Sequence, residues 1–295
     1  MRLEGRTAIV TGASSGIGRQ TARELARRRA HVVLASRSRD RLEALAAELA
    51  DYPGRRLVVP TDVTDRLAVE ALVRRTVEEF GSVDVLVNNA GVGLFAPIAD
   101  GSLDNMRHLF NVNFWGAVNC IQAVVPYMQS QRRGHIVNVA SVAGKVAAPY
   151  LGIYSATKFA LTAVSDALRS ELAGTGIHVS TVYPGLTDTS FRESMLREVE
   201  VPDPPAYLRS AGPAAVARRI VQAIRWNLRD AYVSLEDLAA VAVYPLAPAL
   251  ADWAVRLLWL GPGHSVAPPA RPSLPAEEPA EPSAADPTEP PSELQ

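Results

Sequence analysis

Tyr154 and Lys158 stand four residues apart in a run, Leu151 to Leu172, whose pattern reads as one helix. Residues at that spacing share a helix face, so the phenol and the ammonium project the same way. A cation beside a phenol favours the phenolate and lowers its pKa. A phenol brought nearer neutrality can give or take a proton at a carbonyl or an alcohol. The pair alone also fits a half-buried aromatic beside a solvated charge. Its meaning depends on what the rest of the chain brings to it.

A second stretch with chemical content lies near the start. Thr7 to Val10 is a short apolar, β-prone run. Gly12-Ala13-Ser14-Ser15-Gly16-Ile17-Gly18 follows, then an Arg/Ala/Leu-rich helix to about Arg29. Glycines permit a tight turn and close approach of a ligand to the backbone. The start of the next helix offers free N–H groups to a pyrophosphate. Two motifs compete here: a dinucleotide turn of spacing G-x-x-x-G-x-G, and Gly12 to Gly16 as a G-x-S-x-G nucleophile elbow. The elbow needs an acid, a histidine and a nucleophile placed after a later strand. Ser14 follows the first strand, and no histidine sits in a convincing loop (His264 borders the tail).

His31 to Ala35 is a second strand-like run, ending about 20 residues after the glycine turn. Dinucleotide folds read the adenine ribose at this strand end. An acid there would bind a free 2′-hydroxyl. The chain has Ser36 and Arg37 instead, followed by Arg39 and Arg41. A guanidinium binds phosphate in a bidentate, charge-assisted way, which points to NADP. The same arginines would also suit a solvated helix start.

The elements that must position these residues alternate along the chain. Further strands are expected at Leu57–Val59, Val83–Val87, Ile136–Val139 and Ile177–Val182, with Tyr232-Val233 a short last one. Helices are expected at Arg39–Ala50, Asp65–Phe80 with Asp65 as N-cap, Leu103–Gln129 and Pro213–Leu228. Alternation implies a three-layer α/β fold: a mostly parallel, seven-stranded, doubly wound sheet with helices on both faces. Right-handed crossovers then bring every strand's C-terminal end to one edge. The glycine turn, Arg37, Asp62, Asn88 to Gly91, Ser141 and Pro184 all fall there, where such sheets bind ligands. Gly91-Val92-Gly93-Leu94-Phe95-Ala96 also matches G-x-G-x-x-A, but Pro97 and the polar residues after it open no helix.

Composition narrows the function classes. The chain has 295 residues, 48% hydrophobic and 21% charged, with net charge -1. Nothing there points to nucleic acid or to an acidic membrane. The single cysteine, Cys120, sits in an apolar helical run and reads as core. It excludes a disulfide framework and a cysteine-based zinc site. No histidine pair has metal-ligand spacing, so no metal is expected. His31, His135 and His178 open apolar runs and read as structural. Met1 to Arg6 is short and polar, unlike a signal peptide, which favours the cytoplasm.

Taken together, the chain resembles the short-chain dehydrogenase/reductase family over about residues 5 to 235. The resemblance rests on Thr11-Gly12-x-x-x-Gly16-x-Gly18, Asp62, Asn88-Asn89-Ala90-Gly91, Asn113, Ser141, Tyr154-x-x-x-Lys158 and Pro184-Gly185. It implies that Tyr154 is general acid in reduction and base in oxidation. Lys158 would lower its pKa and bond the nicotinamide ribose. Ser141 would bond the substrate oxygen where charge develops. Asn113 would hold a water in a proton relay. For NADP(H), it implies Gly12, Ser14, Ser15, Gly16, Ile17 and Gly18 around the phosphates, with Arg37 at the ribose phosphate. Asp62 and Val63 would meet the adenine, and Asn89, Ala90 and Gly91 the ribose. Pro184, Gly185, Thr187 and Thr189 would hold the carboxamide and diphosphate. Thr187 replaces a residue that the family often has aliphatic. Lys145 and the Gly185 to Thr189 pattern resemble the hydroxysteroid-dehydrogenase-like branch, which implies a small apolar carbonyl or alcohol substrate. The family's habit implies a homodimer or homotetramer. All four catalytic residue types are present, against a third reading in which the fold binds nucleotide without turnover.

The last third reads as separate pieces. Residues 190–212 would be a mobile lid. Residues 236–261 are very apolar, broken by Pro245 and Pro248, with Asp252 and Arg256 inside; these argue against a membrane span. The stretch would either cover the pocket or another subunit, or lie on a membrane surface with Trp253 and Trp259 at the interface. Residues 262–295 are Pro/Ala/Glu-rich and read as a disordered tail.

Overall fold

The computed structural model describes residues 1–187, 191–200 and 211–260, the last three as backbone alone. Its strands are β1 (Thr7–Thr11), β2 (His31–Ser36), β3 (Arg56–Pro60), β4 (Val85–Asn88), β5 (Leu94–Phe95), β6 (Gly134–Val139), β7 (Ile177–Tyr183), β8 (Leu196–Arg197) and β9 (Asp230–Tyr232). Seven of them form one sheet in the order β3-β2-β1-β4-β6-β7-β9, and every pairing is parallel. The continuous apolar runs follow from that arrangement, since a sheet covered on both faces needs apolar residues at both parities of each strand.

The helices are α1 (Gly16–Ala26), α2 (Arg39–Glu48), α3 (Arg66–Phe80), α4 (Leu103–Phe110), α5 (Gly116–Ser130), α6 (Gly152–Glu171), α7 (Pro213–Trp226), α8 (Leu235–Val243) and α9 (Pro248–Leu260). They split the core in two. Ala8 and Val10 of β1 point to a layer with Leu25, Leu42, Ile220 and Ile224. Ile9 points the other way, to Leu72, Val124, Met128 and Leu168. This is the period-two alternation of a strand with both sides buried. Local rules set the helix ends. Asp65 caps α3, its Oδ1 accepting from Leu67 N at 2.9 Å and Ala68 N at 3.2 Å. Gly81 ends the same helix in the left-handed region at φ 75.

Three features differ from the expected pattern. The long helix from Leu103 is interrupted by a π-helical turn at Asn111–Trp115. β5 and β8 pair as a small second sheet. The apolar C-terminal stretch is two helices, α8 and α9, separated at Pro245–Pro248. Among the described residues no helix is long and apolar enough to cross a membrane. The 262–295 tail lies outside the described residues, as do Ser190 and 201–210 of the lid segment.

Candidate active site

β1 and β4 are neighbours, yet the chain leaves β1 for β2 on one side and later reaches β4 on the other. Connections therefore diverge at their C-terminal ends and leave a crevice. Thr11 joins its two walls. Its hydroxyl accepts from Asn89 N and Ala90 N, both at 3.0 Å, and donates to Val87 O at 3.2 Å. Asn89 Nδ2 donates to Thr11 O at 3.0 Å and to Gly12 O at 3.4 Å. Gly12 has φ +65, and a Cβ on it would lie 2.9 Å from Asn89 Nδ2. A Cβ on Gly18 would overlap the Gly12 carbonyl oxygen and Asn89 Nδ2. The motif glycines are thus fixed by close backbone approach. The N-cap Ser15 makes no side-chain cap bond, so the first-turn N–H groups of α1 face the turn uncapped. This cradle fits a dinucleotide phosphate.

The neighbouring strand ends carry the residues expected at the adenosine. Ser36 ends β2, and its Oγ is buried with no hydrogen-bond partner among the described residues. Arg37 beside it is exposed. Asp62 Oδ1 accepts from Thr64 N at 2.9 Å and from Thr64 Oγ1 at 2.8 Å. Burial opposes its ionisation, but those bonds and the charges of Arg37 and His108 hold the carboxyl below its usual value. Val63 is packed under α5, where a Cβ on Gly116 would come within 2.6 Å of Val63 Cγ2. A hydroxyl without a partner among the described residues, beside the exposed Arg37 guanidinium, fits a phosphate on this side.

Asn113 sits in the π turn, buried at 1% exposure. Its Oδ1 accepts from Val92 N at 2.8 Å, and its Nδ2 donates to Val92 O at 2.9 Å and Thr157 Oγ1 at 3.2 Å. The carboxamide thereby pairs with Val92 as a strand neighbour would and ties it to α6. A Cβ on Gly91 would stand 3.2 Å from Asn113 Oδ1 and 3.8 Å from Lys158 Nζ. Gly91, Asn113 and Lys158 therefore meet. Lys158 Nζ donates to Val139 O at 3.0 Å. Ser141 follows β6, and its hydroxyl donates to Pro184 O at 3.2 Å and accepts from Ala143 N at 3.1 Å. That hydroxyl also bonds the Tyr154 phenol.

The electrostatics differ from the sequence-based expectation. Burial pushes the Tyr154 phenol up to about 12, against the lowering effect of Ser141. Burial also pushes the Lys158 ammonium down to about 8. The ammonium is directed at Val139 O and lies 5.9 Å from the Tyr154 ring centroid. Desolvation, rather than the cation, sets the phenol's pKa in this arrangement.

Tyr154 packs, partly buried, against two apolar clusters. One comprises Leu94, Ala96, Met106 and Leu109, with Val92 and Ile153 also packed on it. The other comprises Phe95 and Leu151, with Met195 and Val199 also packed on it. Phe191 lies 6.2 Å from the Tyr154 ring, centroid to centroid. The described segment 191–200 thus reaches Tyr154. Tyr150 holds φ 62, unusual for an aromatic residue, while its carbonyl accepts from Ala96 N at 2.9 Å. Thr187 Oγ1 donates to Gly185 O at 3.2 Å. Thr189 lies outside the described residues.

Some contributors carried no sequence signal. Val92, Val139 and Thr157 act through hydrogen bonds, and any residue could supply the Val92 and Val139 groups. Asp237 of α8 packs so closely on Gly185 that a Cβ there would overlap its carboxylate. Asp237 accepts from Ser234 N at 3.2 Å and from the Gly185 backbone, and burial raises its pKa. The Gly91 to Ala96 decoy runs into β5. Ser14 lies in the turn after β1, and no histidine among the described residues bonds it. His31, His135 and His178 have structural partners in Arg55 N, Ser180 Oγ and Asn227 Nδ2.

Comparison with known proteins identifies the family. The model of the short chain dehydrogenase family matches residues 6–200. The chain belongs to that family and is an oxidoreductase with a nucleotide-binding Rossmann fold. It is 33% identical over 265 residues to "Ketoacyl reductase HetN" of Nostoc sp., covering 88% of this chain and 90% of that one. It is 40% identical over 225 residues to "Glycine betaine reductase ATRR" of Emericella nidulans, covering 76% of this chain but only 18% of that far longer protein. Among solved structures, a short chain dehydrogenase/reductase from Burkholderia phymatum in complex with NAD has a TM-score of 0.77 at 28% identity, covering 85% of this chain and 96% of that one. An alcohol dehydrogenase from Thermococcus sibiricus complexed with 5-hydroxy-NADP has a TM-score of 0.69 at 29% identity, covering 77% and 94%.

Proposed function

We propose that the protein is an NADP(H)-dependent reductase or dehydrogenase of an apolar carbonyl or secondary alcohol, with Tyr154 as the general acid and base. The observation carrying this reading is that Tyr154, Ser141, Lys158 and Asn113 gather at the sheet edge that bears the uncapped glycine turn. NADP(H), when bound, supplies or accepts the hydride. Gly12, Ser14, Ser15, Gly16, Ile17 and Gly18 hold its diphosphate. Arg37 and the free Ser36 hydroxyl take the 2′-phosphate. Asp62 and Val63 flank the adenine, Asn89 to Gly91 the ribose, and Pro184, Gly185, Thr187 and Thr189 the carboxamide end.

Tyr154 gives its proton to the carbonyl oxygen in reduction and takes it from the hydroxyl in oxidation. A phenol held near 12 is neutral, and so a competent donor, at physiological pH. Ser141 donates to the same oxygen as negative charge grows there. Lys158, charged below about pH 8, stabilises the phenolate left behind once its ammonium turns from Val139 O. Asn113 holds Val92 and Thr157 in register and belongs to the relay that returns the proton.

The side chains around Tyr154 support an apolar substrate of steroid-, lipid- or ketone-like kind. That surface suits an acyl chain, as the name of the Nostoc ketoacyl reductase suggests for that protein, better than a small cation. Lys145 lies over the Tyr183 ring at 5.3 Å beside this site, in line with the hydroxysteroid-dehydrogenase-like branch. Exposed Leu103, Trp115 and Phe159 on and between α4 and α6 suit pairing into a homodimer or homotetramer. The oxidoreductase unit spans residues 1–235, in the cytoplasm.

Titration of the pure protein with NADPH and then NADH tests the cofactor assignment. NADPH is expected to bind much more tightly. Arg37→Ala should cost about 2 kcal/mol, roughly thirtyfold, in NADPH affinity alone, the worth of a charged hydrogen bond. Equal or tighter NADH binding would refute the NADP assignment. Tight NADPH binding without turnover across a panel of carbonyls would favour a nucleotide-binding regulator.

A further inference from the structure

Helices α8 and α9 bury remarkably little for such apolar segments. None of the side chains of α8 is buried. On α9, Leu250, Trp253 and Leu257 follow at intervals of three and four, which puts them on one helix face. All three are exposed, Trp253 at 62%. Leu246, at the turn between the helices, is 83% exposed, and Leu235, opening α8, is 81% exposed. Contiguous apolar exposure of this kind marks an interaction surface. The helices have 9 and 13 residues, too short to span a bilayer but long enough to lie in its interface.

A crevice of about 400 Å³ lies between α7 and the start of α8, reaching Leu235 and Leu238 of that helix. Arg218, Arg219, Gln222 and Ser234 line its polar side, and Leu235 and Leu238 its apolar side. Arg219 donates to Gln222 Oε1 at 3.2 Å, while its Nε is buried without a partner among the described residues. Neither Arg218 nor Arg219 has an ion pair among those residues, although both line the crevice. The acidic side chains of α8 and α9 do not answer them. Asp237 is folded onto Gly185, Asp252 accepts from Tyr244 at 3.4 Å, and Glu236 has a partner of its own.

We propose that α8 and α9 seat the protein on an anionic phospholipid surface, with a lipid headgroup phosphate in the Arg218–Arg219 crevice. Leu246, Leu250, Trp253 and Leu257 enter the acyl boundary, and the two guanidiniums meet the phosphate that adjoins it. Charge complementarity selects this occupant. A second copy meeting this same face brings no unengaged acidic side chain of α8 or α9 to the arginines, whereas an anionic headgroup neutralises them and continues into acyl chains beside Leu235 and Leu238.

The test is flotation of the full chain with phosphatidylcholine vesicles, with and without phosphatidylglycerol. Binding is expected to need phosphatidylglycerol and to weaken with salt. Leu246→Glu with Trp253→Glu should abolish flotation while leaving the melting temperature and NADPH affinity unchanged. Arg218→Gln with Arg219→Gln should weaken it roughly thirtyfold, on the usual worth of two cations at such a surface. Absence of flotation overturns the proposal, as does equal flotation on neutral vesicles unaffected by the arginine changes. A dimer that becomes monomeric in the Leu246/Trp253 variant and never floats would assign the face to a second copy. Inorganic phosphate that stabilises the protein through Arg218 and Arg219, without flotation, would assign the crevice to a free anion; either result refutes lipid docking.

Discussion

Replacing Lys158 with methionine should make the protein more stable and useless as a catalyst. Burial moves the Lys158 pKa from 10.5 to about 8. Carrying that charge inside the fold at neutral pH therefore costs about 3 kcal/mol. Methionine removes the charge and keeps most of the stem. Against the gain stands the bond to Val139 O at 3.0 Å, whose loss leaves a buried carbonyl unpaired and costs about 1 kcal/mol. Lys158→Met should then be more stable than the parent by about 2 kcal/mol at pH 7. The sign against pH follows from linkage. Between pH 8 and 10.5 the unfolded chain binds the lysine proton more than the folded chain does, so the parent gains stability as pH rises. The variant lacks that gain, so its advantage is full below pH 8 and gone by about pH 10.5. Urea unfolding of both proteins at pH 7 and pH 10 measures it. A less stable variant at pH 7, or a difference independent of pH, would refute a buried, strained ammonium. Turnover should be lost at both pH values.

Gly18→Ala places a Cβ on the Gly12 carbonyl oxygen and Asn89 Nδ2. It should weaken NADPH binding at least about tenfold by spoiling the turn, read by titration of folded variant protein. Asp65→Ala removes the α3 cap and should cost about 1 kcal/mol. That is a fall of roughly 2–4 °C in melting temperature for a domain of this size, with NADPH affinity unchanged.

What the sequence displays and what it hides divide along physical lines. A strand buried on both faces favours apolar residues at both parities, so the centres of β1, β2 and β4 read as apolar runs, while β6 and β7 also bury Asn138, Ser180 and Thr181. The motif glycines are visible because Gly12 and Gly18 stand where a Cβ has no room. Asp65 is visible because capping uses a local side chain. The π turn around Asn113 has no such mark. It is held by Val92 and Thr157, which are distant in sequence. β5 and β8 are two residues each, too short for a period to show. Spacing alone does not show the raised pKa of Tyr154, because Lys158 shares its helix face but directs its ammonium to Val139 O. Burial depth at a single side chain is set by the whole fold. The Asp237 contact with Gly185 likewise depends on where α8 returns.

The central claim is that Tyr154 is the proton donor to a substrate carbonyl. The most direct measurement is NADPH oxidation, followed at 340 nm, by the parent and by Tyr154→Phe against a panel of apolar ketones including acyl-chain β-keto compounds. The account predicts turnover by the parent on part of the panel. Tyr154→Phe should lose it by a factor of roughly a thousand or more, with NADPH affinity retained. A phenylalanine variant that turns over at the parental rate would contradict it.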